Sequence, residues 1–304
     1  MGMFSGCITD ITGVIAGHYT DPDNMTGCTV VIIDGGGVCG VDVRGSAPGT
    51  RETDLLRPTN AVQRADAILL SGGSAYGLAA ADGVMLWLEE HNCGFDTGFG
   101  LVPIVPAAVL FDLDTGSAAV RPDAKAGYSA CKNASSIPLL QGSFGAGTGA
   151  TVGKAAGIKS SSKGGFGAAS ILLGNGIVVA ACFAVNALGD IYDHVTGEKI
   201  AGVRETSAYD ALIKGGCPNF SGKNTTIGII GTNAALTKEQ ANKLASMGQD
   251  GIAICVRPAH TMFDGDTVFA FGTGQATCDF NALLAAGVEV SSRAIINAVK
   301  GSNL

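Results

Sequence analysis

The sequence predicts a mixed α/β fold, on three observations. Apolar, β-branched runs of four to ten residues alternate with Ala- and Leu-rich segments of helical period. Glycine is 46 of 304 residues, roughly twice the average share of about 7%, and is spread over the chain, as tight strand-to-helix turns require. No composition break, linker or internal repeat divides the chain, which reads as one domain, 1–304.

Cys28–Ile33 reads as a strand closed by Gly35-Gly36-Gly37, with Val38–Val43 as its hairpin partner. Ala67–Leu70 is a short buried strand that runs through Ser71-Gly72-Gly73-Ser74 into a helix over Tyr76–Glu90. There Leu78, Ala81, Val84 or Met85, and Leu88 share a face. Lys125–Ser135 reads as a second helix and Gly145–Gly153 as a glycine loop. Gly176–Val185 and Thr226–Ile230 read as strands, the latter after a polar loop, 218–224. Thr237-Lys238-Glu239-Gln240 is a capping box that starts a helix. Ile252–Val256 and Val268–Phe271 read as strands, and Val288–Val299 as a closing helix.

Charged residues are 15% and hydrophobic ones 46%, which excludes a disordered chain and a coiled coil. The net charge is −7 with no basic run, so nucleic acid and anionic membrane are poor partners. The N-terminal residues lack a signal-peptide pattern, and the longest clean apolar run, Ile177–Val185, is far short of a membrane span. The nine cysteines form no C-x-x-C, several lie in apolar runs, and reduced thiols in a cytoplasmic protein are expected.

Several chemistries fail on spacing. The phosphate-loop pattern ending at Gly153-Lys154 has Thr148 where its first glycine belongs, and Ala155 after the lysine. A dinucleotide fingerprint from Gly145 and Gly147 needs glycine at Ala150. His18, His91, His194 and His260 show no zinc spacing, and no G-x-S-x-G elbow occurs. Neither a metal nor an organic cofactor is expected.

Gly222-Lys223-Asn224-Thr225-Thr226-Ile227 places a hydroxyl where a polar loop meets a buried strand. An N-terminal-nucleophile enzyme needs that placement. The hydroxyl attacks the preceding carbonyl, the acyl group shifts from N to O, and water cleaves the ester. The freed α-amine, with an ordinary pKa of about 7.7–8.0, can then serve as base. On these residues alone, a plain turn or an N-x-[ST] sequon fits as well.

Ordered blocks along the whole chain carry a family resemblance. They include Gly17-His18-Tyr19-Thr20, Gly40-Val41-Asp42-Val43-Arg44-Gly45, Pro48-Gly49-Thr50-Arg51-Glu52 and Ser71-Gly72-Gly73-Ser74. They continue in Gly145–Lys154, Val185-Asn186, Asn224-Thr225-Thr226 and Asp264-Gly265-Asp266. The chain resembles the P1 peptidase family, peptidase family S58. This is the group of the L-aminopeptidase/D-Ala-esterase/amidase, the β-peptidyl aminopeptidases and the 6-aminohexanoate-oligomer (nylon-oligomer) endohydrolase.

The resemblance implies an αββα four-layer sandwich. It implies self-cleavage between Asn224 and Thr225 into chains 1–224 and 225–304, with Thr225 as nucleophile. Lys154, Asn186, Asp264 and Asp266 match the nylon-oligomer branch; the β-peptidyl branch has a serine nucleophile, and a serine and a glutamate near the two Asp positions. Phe111 departs from that branch, which has a tyrosine there. Expected substrates are small peptides, aminoacyl amides or ω-amino-acid oligomers, and the expected assembly is a tetramer of cleaved heterodimers.

The residue chemistry fits these roles. Lys154 can favour an ionised Thr225 hydroxyl. The Asn186 carboxamide can donate to an oxyanion. Asp264 and Asp266 can hold an ammonium, and the N–H groups of Ser71, Gly72 and Gly73 can line a substrate pocket with Phe111. Two other classes stay open: acyl transfer of the ornithine acetyltransferase type, and an unprocessed binding protein.

Overall fold

A computed structural model describes residues 2–215 and 223–302. The main strands are β1 (Val14–Asp21), β2 (Thr26–Val43), β3 (Arg64–Ser71), β4 (Ala107–Val109), β5 (Gly165–Leu172), β6 (Val178–Asn186), β7 (Thr225–Ala234) and β8 (Thr267–Ala276). The main helices are α1 (Ala80–Glu90), α2 (Ala124–Lys132), α3 (Lys238–Cys255) and α4 (Phe280–Ser302). One nine-stranded sheet runs β5-β6-β7-β8-β2-β3-β4, ends on the edge pair Thr50–Arg51, and carries β1 beside β2. Pairs β7–β8 and β3–β4 are parallel and the other pairs antiparallel.

Side chains alternate across each strand, so every strand offers two faces. Val30, Ile32, Ala67 and Leu69 pack on Ala81, Val84 and Leu88 of α1 and Ala130 of α2. Their neighbours Val31, Ile33, Ile68 and Leu70 point the other way, onto Cys182, Ala184, Ile227, Ile229, Phe269 and Phe271. The opposite faces of those strands, through Phe183, Val185, Ile230 and Val268, meet Leu244 and Ile252 of α3 and Val290 and Ile295 of α4. The sheet therefore doubles over an apolar interior, giving the αββα order expected from the resemblance.

The doubling corrects the hairpin expected at Gly35–Gly37. β2 is a single 18-residue strand. Gly35 and Gly36 take left-handed φ of 64° and 71° and shift its register against β3 between Ile32 and Gly37. The first half of β2 pairs with β1, and the second half with β8. The glycines thus form a bulge at which one strand changes partner and layer.

Ile252–Val256 is also corrected. α3 runs through it, and only Val256–Arg257 is extended. Ile252 and Cys255, three apart, fall on the buried face with Leu244 and Gly248, and that burial overrides their strand propensity. The Thr237 capping box forms as read, with Thr237 and Gln240 bonding each other's backbone N–H. Tyr76–Ala79 belongs to a 3₁₀ turn before α1 rather than to the helix, and the second helix stops at Lys132. Most of the polar loop 218–224 lies outside the described residues. Among the described helices, α4 alone is long and apolar enough to cross a membrane. Its most apolar window is 67% buried inside the fold, which makes it a core helix.

Candidate active site

β7 begins at Thr225, between β6 and β8, with Thr225 opposite Asn186. Just before it, Asn224 forms a parallel bridge to Asp264. These pairings draw four distant segments, around residues 154, 186, 225 and 265, to one buried point.

Asn224 and Thr225 are both buried. Thr225 Oγ1 lies 2.5 Å from the Asn224 carbonyl oxygen. That oxygen also accepts the Gly265 backbone N–H at 2.9 Å. A donor so placed polarises the carbonyl and stabilises charge on its oxygen. Glycine is required here by approach: a Cβ on residue 265 would lie 2.6 Å from the Ala47 carbonyl oxygen and 3.0 Å from Thr225 Oγ1.

Lys154 is almost fully buried. Its Nζ donates to Asn186 Oδ1 at 2.9 Å, the Asn186 carbonyl at 3.0 Å and the Lys223 carbonyl at 3.2 Å. Burial pulls its pKa down to about 7, against the opposing charges of Asp114, Asp264 and Asp112. A lysine so poised can hold or give up a proton near neutral pH.

Asn186 accepts from Thr151 N–H at 3.0 Å as well as from Lys154. Its Nδ2 donates to the Phe111 carbonyl at 2.7 Å and to the Lys223 carbonyl at 3.4 Å. The donors on the Asn224 carbonyl are Gly265 N–H and the Thr225 hydroxyl, while Asn186 grips the carbonyl one residue earlier.

Both aspartates come to the site, and both are engaged. Asp266 Oδ1 accepts Thr226 N–H at 2.6 Å; Oδ2 takes the His260 N–H at 3.1 Å and bonds Nδ1 at 2.8 Å. Burial opposes a charged His260, but the hydrogen bond to Asp266 and that carboxylate's charge outweigh it, so its pKa is raised. Asp264 accepts Thr261 N–H at 2.9 Å and its hydroxyl at 2.5 Å. Burial, then the Asp266 charge, raises its pKa. The pair anchors the 260–266 turn to the start of β7, which holds Gly265 against the Asn224 carbonyl.

A cavity of about 110 Å³ opens on Thr225, lined by Ala47, Pro48, Gly49, Ser74, Val109 and Phe111 among others. Phe111 is among its lining residues, while Ser71, Gly72 and Gly73 are not. The N–H groups of Gly72, Gly73 and Ser74 are taken by the Gly27 carbonyl, Asp112 Oδ1 and the Leu110 carbonyl. The turn therefore shapes the cavity wall, through Ser74 at φ 54°, and offers none of these donors to a ligand.

Sequence reasoning missed Gly265, His260 and Asp112. The buried Asp112 ties Gly73 to Thr26 and carries no motif of its own. The one available signal was the Asp-Gly-Asp spacing, which marks a turn but not the direction of its N–H.

The model of peptidase family S58 matches residues 6–303. An uncharacterized aminopeptidase of Mycobacterium leprae is 46% identical over 300 residues, covering 88% of this chain and 78% of the relative. The 6-aminohexanoate-oligomer endohydrolase of Kocuria sp. is 31% identical over 313 residues, covering 96% and 85%. Among solved structures, the L-aminopeptidase D-Ala-esterase/amidase of Ochrobactrum anthropi, described as a variant of the Ntn hydrolase fold, superposes with a TM-score of 0.75. It is 17% identical, with 99% of this chain and 88% of that one covered. The Burkholderia sp. beta-aminopeptidase gives 0.71 at 22% identity, covering 98% and 88%. The protein belongs to peptidase family S58 and is an amidohydrolase/aminopeptidase.

Proposed function

We propose that the protein frees its own nucleophile and then hydrolyses amides through an ester at Thr225. Thr225 Oγ1 attacks the carbonyl carbon of Asn224, and the departing Thr225 nitrogen takes up the proton. Water cleaves the ester, leaving a carboxylate on Asn224 and a free amine on Thr225. In turnover that amine accepts the hydroxyl proton while Oγ1 attacks the substrate carbonyl. The leaving amine takes the proton, and water releases the acyl group. The observation that carries this reading is the Asn224 carbonyl, whose oxygen accepts both Gly265 N–H at 2.9 Å and the Thr225 hydroxyl at 2.5 Å, so that hydroxyl and carbonyl donor meet at one peptide.

The substrates in this reading are small peptides, aminoacyl amides or ω-amino-acid oligomers, as the relatives' names suggest. Identity to the mycobacterial aminopeptidases, 45–46%, exceeds that to the 6-aminohexanoate-oligomer endohydrolases, 31–33%. This favours α-amino-acid amides among them.

The test is an acid quench of the enzyme during turnover of alanine p-nitroanilide, followed by peptide mapping. The acyl mass is expected on the peptide that begins with Thr225 and is removed by hydroxylamine. Turnover with the adduct on another residue contradicts the reading. Gly265→Ala supplies a second check, because its Cβ displaces the carbonyl donor. Self-cleavage, followed on a denaturing gel, is expected to slow about 10²–10³-fold, the usual loss for one such donor.

A further inference from the structure

A side chain holds the first peptide of β7. Asp266 Oδ1 accepts the Thr226 N–H at 2.6 Å, which fixes the plane of the Thr225–Thr226 peptide. The other oxygen, Oδ2, is held twice by His260, through the backbone N–H at 3.1 Å and ring Nδ1 at 2.8 Å. The far ring nitrogen, Nε2, faces the Gln249 carbonyl of α3 at 3.4 Å. Both ring nitrogens therefore meet oxygen acceptors. A neutral imidazole has one N–H and would set a lone pair against one of them, whereas the imidazolium satisfies both. The His260 side chain is 19% exposed and that of Asp266 2%, so salt screens the pair little. Among the described residues, the other charges that face it are Arg44, just past β2, and Asp264. The Arg44 guanidinium is itself taken by Asp42 at 3.0 Å and Asp250 at 3.2 Å.

We propose that His260 is a positioning residue for the reaction: as a cation it clamps Asp266 onto the Thr226 N–H and offsets that carboxylate's charge beside Thr225. This rests on the reading of Thr225 as nucleophile. His260 does not line the cavity and acts through Asp266. The freed Thr225 amine must be uncharged to accept the hydroxyl proton. Carboxylates near an ammonium favour its charged form, and a nearby cation disfavours it. With His260 charged, one of the two carboxylates is offset, and the amine gives up its proton at a lower pH. The site then works further into the acid range than the two aspartates alone would allow. Burial lowers the His260 pKa, but the bond to Asp266 and its charge raise it by more, in agreement with a charged ring.

His260→Asn is the informative variant. Residue 260 has a left-handed φ of 56°, which asparagine tolerates. The asparagine Nδ2 takes the place of ring Nδ1 and keeps a donor on Asp266 without the charge. The experiment follows kcat/KM for alanine p-nitroanilide against pH in the wild type and the variant. The acid limb is expected to lie about one pH unit higher in His260→Asn. Loss of a nearby positive charge raises each neighbouring pKa, so this direction holds whichever group sets the limb. A lower rate with the limb in its wild-type place is what a purely structural role gives, and it overturns the proposal. Ring nitrogen-15 shifts of the wild type supply a check that needs no variant. The His260 midpoint is expected above the ordinary 6.5, and a lower midpoint overturns the proposal. An unmoved limb with the acyl adduct on Thr225 leaves the nucleophile standing, whereas an adduct elsewhere overturns both readings.

Discussion

Thr225→Ala is expected to abolish amide hydrolysis, a loss of about 10⁴-fold or more, as when a nucleophile is removed from a covalent mechanism. The chain is expected to fold. Thr225 is buried in a central strand, and the alanine loses only a hydroxyl whose partner, the Asn224 carbonyl, keeps its bond to Gly265. Thr225→Ser keeps the hydroxyl and is expected to retain measurable turnover. Initial rates with alanine p-nitroanilide, beside circular dichroism melts of all three proteins, check both statements. Full activity in folded Thr225→Ala would remove Thr225 from the chemistry.

Lys154→Met carries the second large effect. The methionine fills most of the buried space but can neither hold nor transfer a proton. Turnover is expected to fall about 10²–10⁴-fold, the range for loss of a positioned acid or base. The pH dependence separates this from a packing defect. The folded-state pKa of Lys154 is about 7, below the ordinary lysine value of 10.5. Between those two values the unfolded chain binds the extra proton, so stability from this residue rises with pH across that window. Below pH 7 both states are protonated and its contribution is flat. The stability of the wild type relative to Lys154→Met is therefore expected to climb from pH 7 towards pH 10. Urea melts across the window measure it. An active, normally sloped Lys154→Met would contradict the assignment.

Legibility in the sequence followed the kind of signal each feature leaves. The start of β7 was legible because a strand of β-branched residues follows a polar loop, but Thr225 was singled out there only through the resemblance. α3 was legible at its start, where the capping box is a side-chain pattern, but not at its end. Ile252 and Cys255 look like strand residues until their burial against α4 is known, while Ile254 between them faces solvent. β1 went unread because only four of its eight residues, Val14–Gly17, show a strand-like pattern, and the half-buried end carries His18, Tyr19 and Thr20. The glycines of β2 read as a turn, because φ > 0 marks a hairpin and a bulge alike.

In the site, Lys154, Asn186, Asp264 and Asp266 were legible through the resemblance, and the fold brings all four near Thr225. Their partners were not legible. The backbone N–H of Gly265 donates to the Asn224 carbonyl, and the acceptor that orients Asn186 is the Phe111 carbonyl. Backbone groups leave no residue signature. Phe111 in place of a tyrosine therefore changes the ring beside the cavity and leaves the Asn186 contact as it is, because that contact uses the main chain.

Intact mass spectrometry of the purified wild type beside Thr225→Ala tests the central claim most directly. Two wild-type masses are predicted, for chains 1–224 and 225–304, summing to the precursor plus one water, with a single uncut mass for Thr225→Ala. A wild-type chain that stays whole through long incubation while hydrolysing amides, or a Thr225→Ala chain cut at the same bond, would contradict it.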